Sequence, residues 1–223
     1  SVERNRRVLA DGIRKANSEN TSGHSHIENS RKIVMDDEKQ MLAGYFDQYR
    51  EALSGDSIYA DLIQLKDLLI LTRDSTRKVI IAGNGGSAAI ASHCSVDFTK
   101  CSGIRCTNFN EPDLITCFAN DYGYENVFAR QIEALGRAGD TAIAISTSGN
   151  SPNVLAGIDA ARKEGLYTIG FTGESGGKLA NRVEVLFRVP SGVTPRIQET
   201  HILLGHVLCE LVDRQLFPDA YDD

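Results

Sequence analysis

The sequence predicts an α/β chain: an open, mainly parallel sheet covered by helices on both faces. Three observations carry this. Short apolar runs recur in KVIIAG around residues 79–83, TAIAIS at 141–146 and YTIGFTG at 167–173. Each ends in a loop rich in glycine or serine, as buried parallel strands do, and helix-compatible sequence follows. Strand and helix therefore alternate at the spacing of βα units. With 223 residues, of which 41% are hydrophobic, the chain can bury one sizeable core.

The elements follow in order. Residues 17–30, NSENTSGHSHIENS, hold a single aliphatic residue, Ile27, too little to offset the entropy of ordering them. Residues 1–37 read as an N-terminal arm or linker, with Val8, Leu9 and Ile13 allowing a short helix, and residues 38–223 as the folded domain. DEKQMLAGYFDQYREAL and IYADLIQLKDLLILTRDST carry helical periodicity, the second through Ile58, Leu62, Leu65 and Leu69. After the strand at 79–83 comes a helix in SAAIASHCSVDF. DLITCFAN reads as a strand and ENVFARQIEALGRAG as a helix. NVLAGIDAARKEG follows the second apolar run as another helix. VEVLFRVP at 183–190 supplies a last strand, and RIQETHILLGHVLCELVDRQLF a long closing helix.

Charge and composition exclude several classes. Against 24 Lys and Arg stand 30 Asp and Glu, a net charge of −6, which disfavours a surface built for nucleic-acid phosphates. No run approaches the roughly 18 apolar residues of a membrane span, and charges throughout the first thirty residues speak against a secretory leader, so a cytoplasmic protein is expected. The five cysteines are odd in number and scattered, with no CxxC pair, and suggest neither a disulfide framework nor a thiolate zinc site. Small anions stay open, because backbone amides in glycine loops bind phosphate without surplus Lys or Arg.

Two loops have the groups for this. Gly83-Asn84-Gly85-Gly86-Ser87 joins a strand to a helix, with glycines for close approach and Ser87 as a hydroxyl and expected helix cap. Ser146-Thr147-Ser148-Gly149-Asn150-Ser151 places four hydroxyls at another strand end. Together they read as a cradle for a phosphate monoester. Farther along the first helix, His93 and Asp97 stand four apart on one face, a spacing that suits one metal ion or one proton-transfer pair. On the closing helix lie Gln198, His201 and His206. His201 reads as a partly exposed surface histidine. Gln198 and His206 are eight residues, about 12 Å, apart along a regular helix. Either that helix is broken, or equivalent sites share residues from neighbouring subunits.

The strings GNGGSAAIASH, FANDYGYENVFARQ, GDTAIAISTSGNSPN, GFTGESGG and RIQETHILLGH resemble, in order and spacing, those of the sugar isomerase (SIS) domain family, over about residues 40–217. The resemblance implies a flavodoxin-like SIS fold whose N- and C-terminal helices pack in a homotetramer. It also implies a cytoplasmic isomerase that interconverts D-sedoheptulose 7-phosphate and D-glycero-D-manno-heptose 7-phosphate in heptose synthesis. Substrate positions carry over to Asn84, Gly85, Gly86, Ser87, Asp97, Asn120, Asp121, Ser146, Thr147, Ser148, Ser151 and Gln198. Zinc-ligand positions, one ion per subunit, carry over to His93, Asp97, Gln198 and His206; Asp97 and His206 are the expected acid/base pair. At position 97 the family has Glu, one methylene longer. Lys100 and Cys101 stand where relatives often carry Arg. The rival readings are an isomerase of another phosphosugar and a non-catalytic SIS relative of the kind that binds the replication initiator. The joint presence of His93, an acid at 97 and His206 favours an enzyme.

Overall fold

The structure is a computed structural model and describes residues 23–53 and 56–221. The short helix expected around Val8–Ile13 lies outside the described residues. Two compact units divide the chain, Ser1–Arg50 and Glu51–Asp223. In the first, helix α1 (Gly23–Leu53) starts well upstream of residue 38, so residues 23–37 are helical where a linker is expected. The segment has long unbranched Glu, Lys, Arg and Met side chains and no proline, which favours helix even without an apolar face. Low hydrophobicity had signalled solvation, not irregular backbone. Val34, Met35, Met41, Leu42 and Phe46 are all exposed, and Tyr45 packs against Phe46 and Tyr49 with ring centroids 5.7 Å apart in each pair.

The second unit is a five-stranded sheet of β1 (Val79–Gly83), β2 (Cys106–Asn108), β3 (Thr141–Ile145), β4 (Tyr167–Thr172) and β5 (Val185–Arg188). Its order is β2-β1-β3-β4-β5 and every pairing is parallel, which is the flavodoxin-like order. Helix α2 (Asp56–Asp74) precedes the first strand, α3 (Gly86–Lys100), α4 (Pro112–Tyr122), α5 (Val127–Leu135) and α6 (Pro152–Lys163) run between strands, and α7 (Thr194–Leu216) follows the last. DLITCFAN is helical, as part of α4, and not a strand. Pro112 stands at the helix start, and Leu114, Ile115, Phe118 and Ala119 recur at helical spacing, a pattern that a short apolar run conceals. The strand before it is β2, only three residues long.

Alternation along the strands builds two cores. Val79, Ile81, Ile143, Ile145, Ile169 and Phe171 face one side, where α2, α3 and α7 contribute Leu65, Leu69, Phe98, Leu204 and Leu208. Ile80, Ala82, Ala142 and Ala144 face the other, against Phe128 and Ile132 of α5 and Val154 and Ile158 of α6. The branched Ile side thus carries three helices, and the Ala side lets α5 and α6 lie close.

Candidate functional site

Because β1 lies between β2 and β3, the chain leaves β1 and β3 in opposite directions across the sheet. The crevice at their carboxyl ends is the topological switch point, where open α/β sheets bind ligands. Gly83 pairs with Ile145 in the β1–β3 register, so the loops Gly83–Ser87 and Ser146–Ser151 emerge side by side. Each feeds a helix N-terminus, α3 at Gly86 and α6 at Pro152, whose dipole favours an anion.

Local bonds fix both loops. Gly85, at φ 54°, is the N-cap of α3, with no side-chain cap bond; Ser87 therefore sits inside the first turn and is not the cap that the sequence suggested. The Asn84 amide exchanges two 2.8 Å hydrogen bonds with that of Asn153, and Tyr124 donates its hydroxyl to Asn84 Oδ1 at 3.1 Å. One Nδ2 hydrogen of Asn84 is left for a ligand. In the second loop Ser146 and Ser151 hydroxyls meet at 3.1 Å, Asn150 N–H donates to Ser148 Oγ at 3.2 Å, and Lys178 N–H donates to Asn150 Oδ1 at 3.0 Å. Thr147 is half-buried and Ser148 exposed. Sequence reasoning missed Asn153 and Tyr124. Asn153 had a readable signal, its place in the first turn of α6 next to the serine-rich loop.

The second cluster lies farther along α3. His93 Nε2 is 2.7 Å from His206 Nε2 and 3.1 Å from Asp97 Oδ2, and His206 Nε2 is 3.6 Å from the same oxygen. Three ligand atoms from α3 and α7 thus converge. The shorter Asp97 side chain reaches both imidazoles. The approach of α7 has a local cause: a Cβ at Gly205 would stand 2.5 Å from Cys94 Sγ, so only glycine lets His206 come this close. His93 and His206 stay about half exposed, 49% and 52% for the side chains, against 25% for Asp97. The cluster therefore opens outward.

Gln198 is not part of it. Helix α7 runs unbroken from Thr194 to Leu216, which removes the broken-helix alternative. The Gln198 amide lies instead against the start of α3, so close that a Cβ on Gly86 would be 2.6 Å from its Nε2. Asn120 and Asp121 are exposed at the end of α4 and bonded to each other at 2.8 Å. Among the described residues, the polar link from this stretch to the first loop is Tyr124. His201 is 1% exposed, not a surface residue. Its Nε2 lies 3.2 Å from the Thr172 carbonyl, and its Nδ1 has no partner among the described residues. Burial lowers its pKa from 6.5 to about 4.

A doubly wound sheet, two hydroxyl- and amide-lined loops at its switch point, and an imidazole–carboxylate cluster about two helical turns farther along α3 define a phosphosugar-handling α/β domain. Residues 45–173 match the SIS domain family, and the chain belongs to it. Curated relatives named phosphoheptose isomerase include that of Sulfurimonas denitrificans, 36% identical over 82% of this chain and 96% of the relative. That of Roseiflexus is 45% identical over 71% and 83%. The solved phosphoheptose isomerase of Neisseria gonorrhoeae superposes with a TM-score of 0.73 at 36% identity, over 78% of this chain and 99% of the other.

Proposed function

We propose that this chain interconverts D-sedoheptulose 7-phosphate and D-glycero-D-manno-heptose 7-phosphate through an enediol, in the synthesis of heptose precursors for lipopolysaccharide or capsule. The convergence of His206 from α7 on His93 and Asp97 of α3, the helix whose N-terminus lies in the phosphate-type crevice, carries this reading. An aldose–ketose isomerase needs a base to take the C1 proton, an acid to return one at C2, and stabilisation of the oxyanion between them. Asp97 and His206 fill the proton-transfer roles. Amides of Gly85 and Gly86 and hydroxyls of Ser87, Ser146, Thr147, Ser148 and Ser151 hold the phosphate and sugar, with Asn84, Asn120, Asp121 and Gln198 as further polar contacts. From Gly86 to His93 the helix rises about 10 Å at 1.5 Å per residue. An extended heptulose 7-phosphate spans about 9 Å from phosphorus to C2, taking roughly 1.5 Å carbon–carbon bonds in zigzag. The distance between the two halves of the site suits a seven-carbon chain.

Two imidazole nitrogens and a carboxylate oxygen form a donor set that suits zinc, and their approach within 3.6 Å of one another fits a shared ion. His93, Asp97 and His206 would hold it, with Gln198 of a neighbouring subunit as the fourth ligand; bound there, zinc would polarise the carbonyl and stabilise the oxyanion, and because a ligating atom has its lone pair engaged, Asp97 would exchange protons through its second oxygen and His206 only where substrate displaces it from the ion. The assembly is a cytoplasmic homotetramer with no nucleic-acid or membrane partner, formed from residues 38–223 as the SIS domain. The exposed apolar residues of α1 and the half-exposed His206 support such association. No helix among the described residues is long and apolar enough to cross a membrane.

The test is an NMR assay of the purified chain with sedoheptulose 7-phosphate, with and without chelator, and with a pentulose 5-phosphate for comparison. Conversion of the heptulose that is lost with chelator, and a pentulose at least about 10²-fold poorer, is expected. No heptulose conversion with zinc supplied would overturn the proposal.

A further inference from the structure

One turn and more beyond the His–Asp cluster, the same two helices bring together a second set of donors. Cys101, at the C-cap of α3, meets Cys209 and Asp213 of α7, with two sulfurs and a carboxylate oxygen all within 4.8 Å of one another. Four-coordinate zinc with bonds of about 2.3 Å to sulfur holds two thiolates about 3.8 Å apart, so the sulfurs need little movement to share an ion.

An independent observation points to a cation. Asp213 is only 9% exposed, and its Oδ1 is buried with no hydrogen-bond partner among the described residues. Among the described residues, its Oδ2 receives only the long 3.9 Å contact from the Cys209 thiol. A buried carboxylate this poorly satisfied is costly unless something positive completes it. The nearest guanidinium in sequence, Arg214, is turned to Glu210 at 2.8 Å and to the Tyr221 ring. A disulfide between Cys101 and Cys209 would leave the buried Asp213 carboxylate as it is; a metal ion bound to it would offset its charge. Cys101 is exposed and Cys209 buried, so an ion could enter from solvent and be held on its inner side.

We propose that Cys101, Cys209 and Asp213 form a thiolate-containing site for a zinc-type divalent cation, separate from the His93–Asp97–His206 cluster. Binding releases the two thiol protons and leaves both sulfurs as thiolates. Water supplies the remaining position on the Cys101 side. The ion would clamp the end of α3 to α7 and needs neither isomerase activity nor the first cluster.

Cobalt(II) tests this in the reduced chain, because only a thiolate site gives a sulfur-to-cobalt charge-transfer band in the near ultraviolet. The first cluster contains no sulfur and is silent. The band is expected in the wild type and in His206→Ala, and zinc should abolish it by displacement. Cys101→Ser, at an exposed position, and Asp213→Asn should each weaken cobalt affinity by at least about 10-fold, the lower range even for outer-shell changes. Should Asp213→Asn fail to fold, Cys101→Ser alone decides. Absence of the band at millimolar cobalt, its persistence unchanged in Cys101→Ser, or a Cys101–Cys209 disulfide in protein kept under reductant would overturn the proposal.

Discussion

Gly86→Ala isolates the contact between the start of α3 and the Gln198 amide of α7 at the substrate crevice. The new methyl would stand 2.6 Å from Gln198 Nε2 and 2.7 Å from its Oε1, where an ordinary contact begins at 3.4 Å. The amide must therefore retreat by about 0.8 Å, which a flexible side-chain end does at little cost to folding. Alanine also favours helix over glycine by up to about 1 kcal/mol, so the melting temperature should hold or rise. Misplacing a positioning group by about 1 Å costs on the order of 10²-fold in rate, near 2.7 kcal/mol. Steady-state kinetics with sedoheptulose 7-phosphate and a thermal melt read the two effects separately. Gln198→Ala should lose a similar factor, and the double variant little more, as expected for two changes acting through one contact. A kcat/KM of Gly86→Ala within threefold of wild type, or full additivity in the double variant, would refute the reasoning.

Asp97→Ala and His206→Ala should each lower turnover at least about 10²-fold, the lower range for a positioned acid or base; near-normal kinetics in either would remove that assignment. Gly205→Ala would press a methyl to 2.5 Å from Cys94 Sγ, part α3 from α7 and separate His93 from His206, so both melting temperature and kcat should fall; a fully active, equally stable variant would show that the helices need not touch. His201 makes stability depend on pH. Its folded pKa is lowered to about 4, so the unfolded chain takes the proton first and stability drops as pH falls from about 6.5 to about 4, by roughly 3 kcal/mol in all. Urea unfolding at pH 7 and pH 4.5 should show that His201→Gln removes most of this excess slope; equal slopes would sink the assignment.

Much of the fold was legible because its signals are local. Apolar runs ending in Gly83, Ser146 and Gly173 marked β1, β3 and β4, and the two loops beyond β1 and β3 announced their chemistry by composition. What failed had no local signal or an ambiguous one. DLITCFAN has apolar residues close enough together to serve a strand or a helix, and only tertiary context decides. His201 looks like any polar residue on a helix, yet α7 turns it inward to the Thr172 carbonyl. The thiol pair was invisible because Cys101 and Cys209 are far apart in sequence and lack the CxxC spacing that betrays thiolate sites. In the candidate site, the i,i+4 relation of His93 and Asp97 was readable, whereas the Asn84–Asn153 amide pair depends on how two loops meet.

Helices α3 and α7 account for the common geometry of these features. Gly86 meets Gln198 and His93 meets His206, sequence offsets of 112 and 113, so the two helices run side by side in the same direction and nearly in register. Such a pair works as a ruler: each step of seven or eight residues advances about 10 to 12 Å on both helices at once. The ruler sets an amide contact at the crevice, an imidazole contact in the middle and a thiol–carboxylate contact at the far end. It explains how one continuous α7 reaches both the crevice loop and the His–Asp cluster without breaking. It also means that Gln198 reaches the first cluster of its own chain only by unwinding two turns of helix, whereas the outward-facing imidazoles are within reach of a second copy. The net acidity that disfavours a polyanion is no obstacle to the proposed substrate, because amides and hydroxyls at the ruler's first mark can meet a single phosphate without a basic side chain.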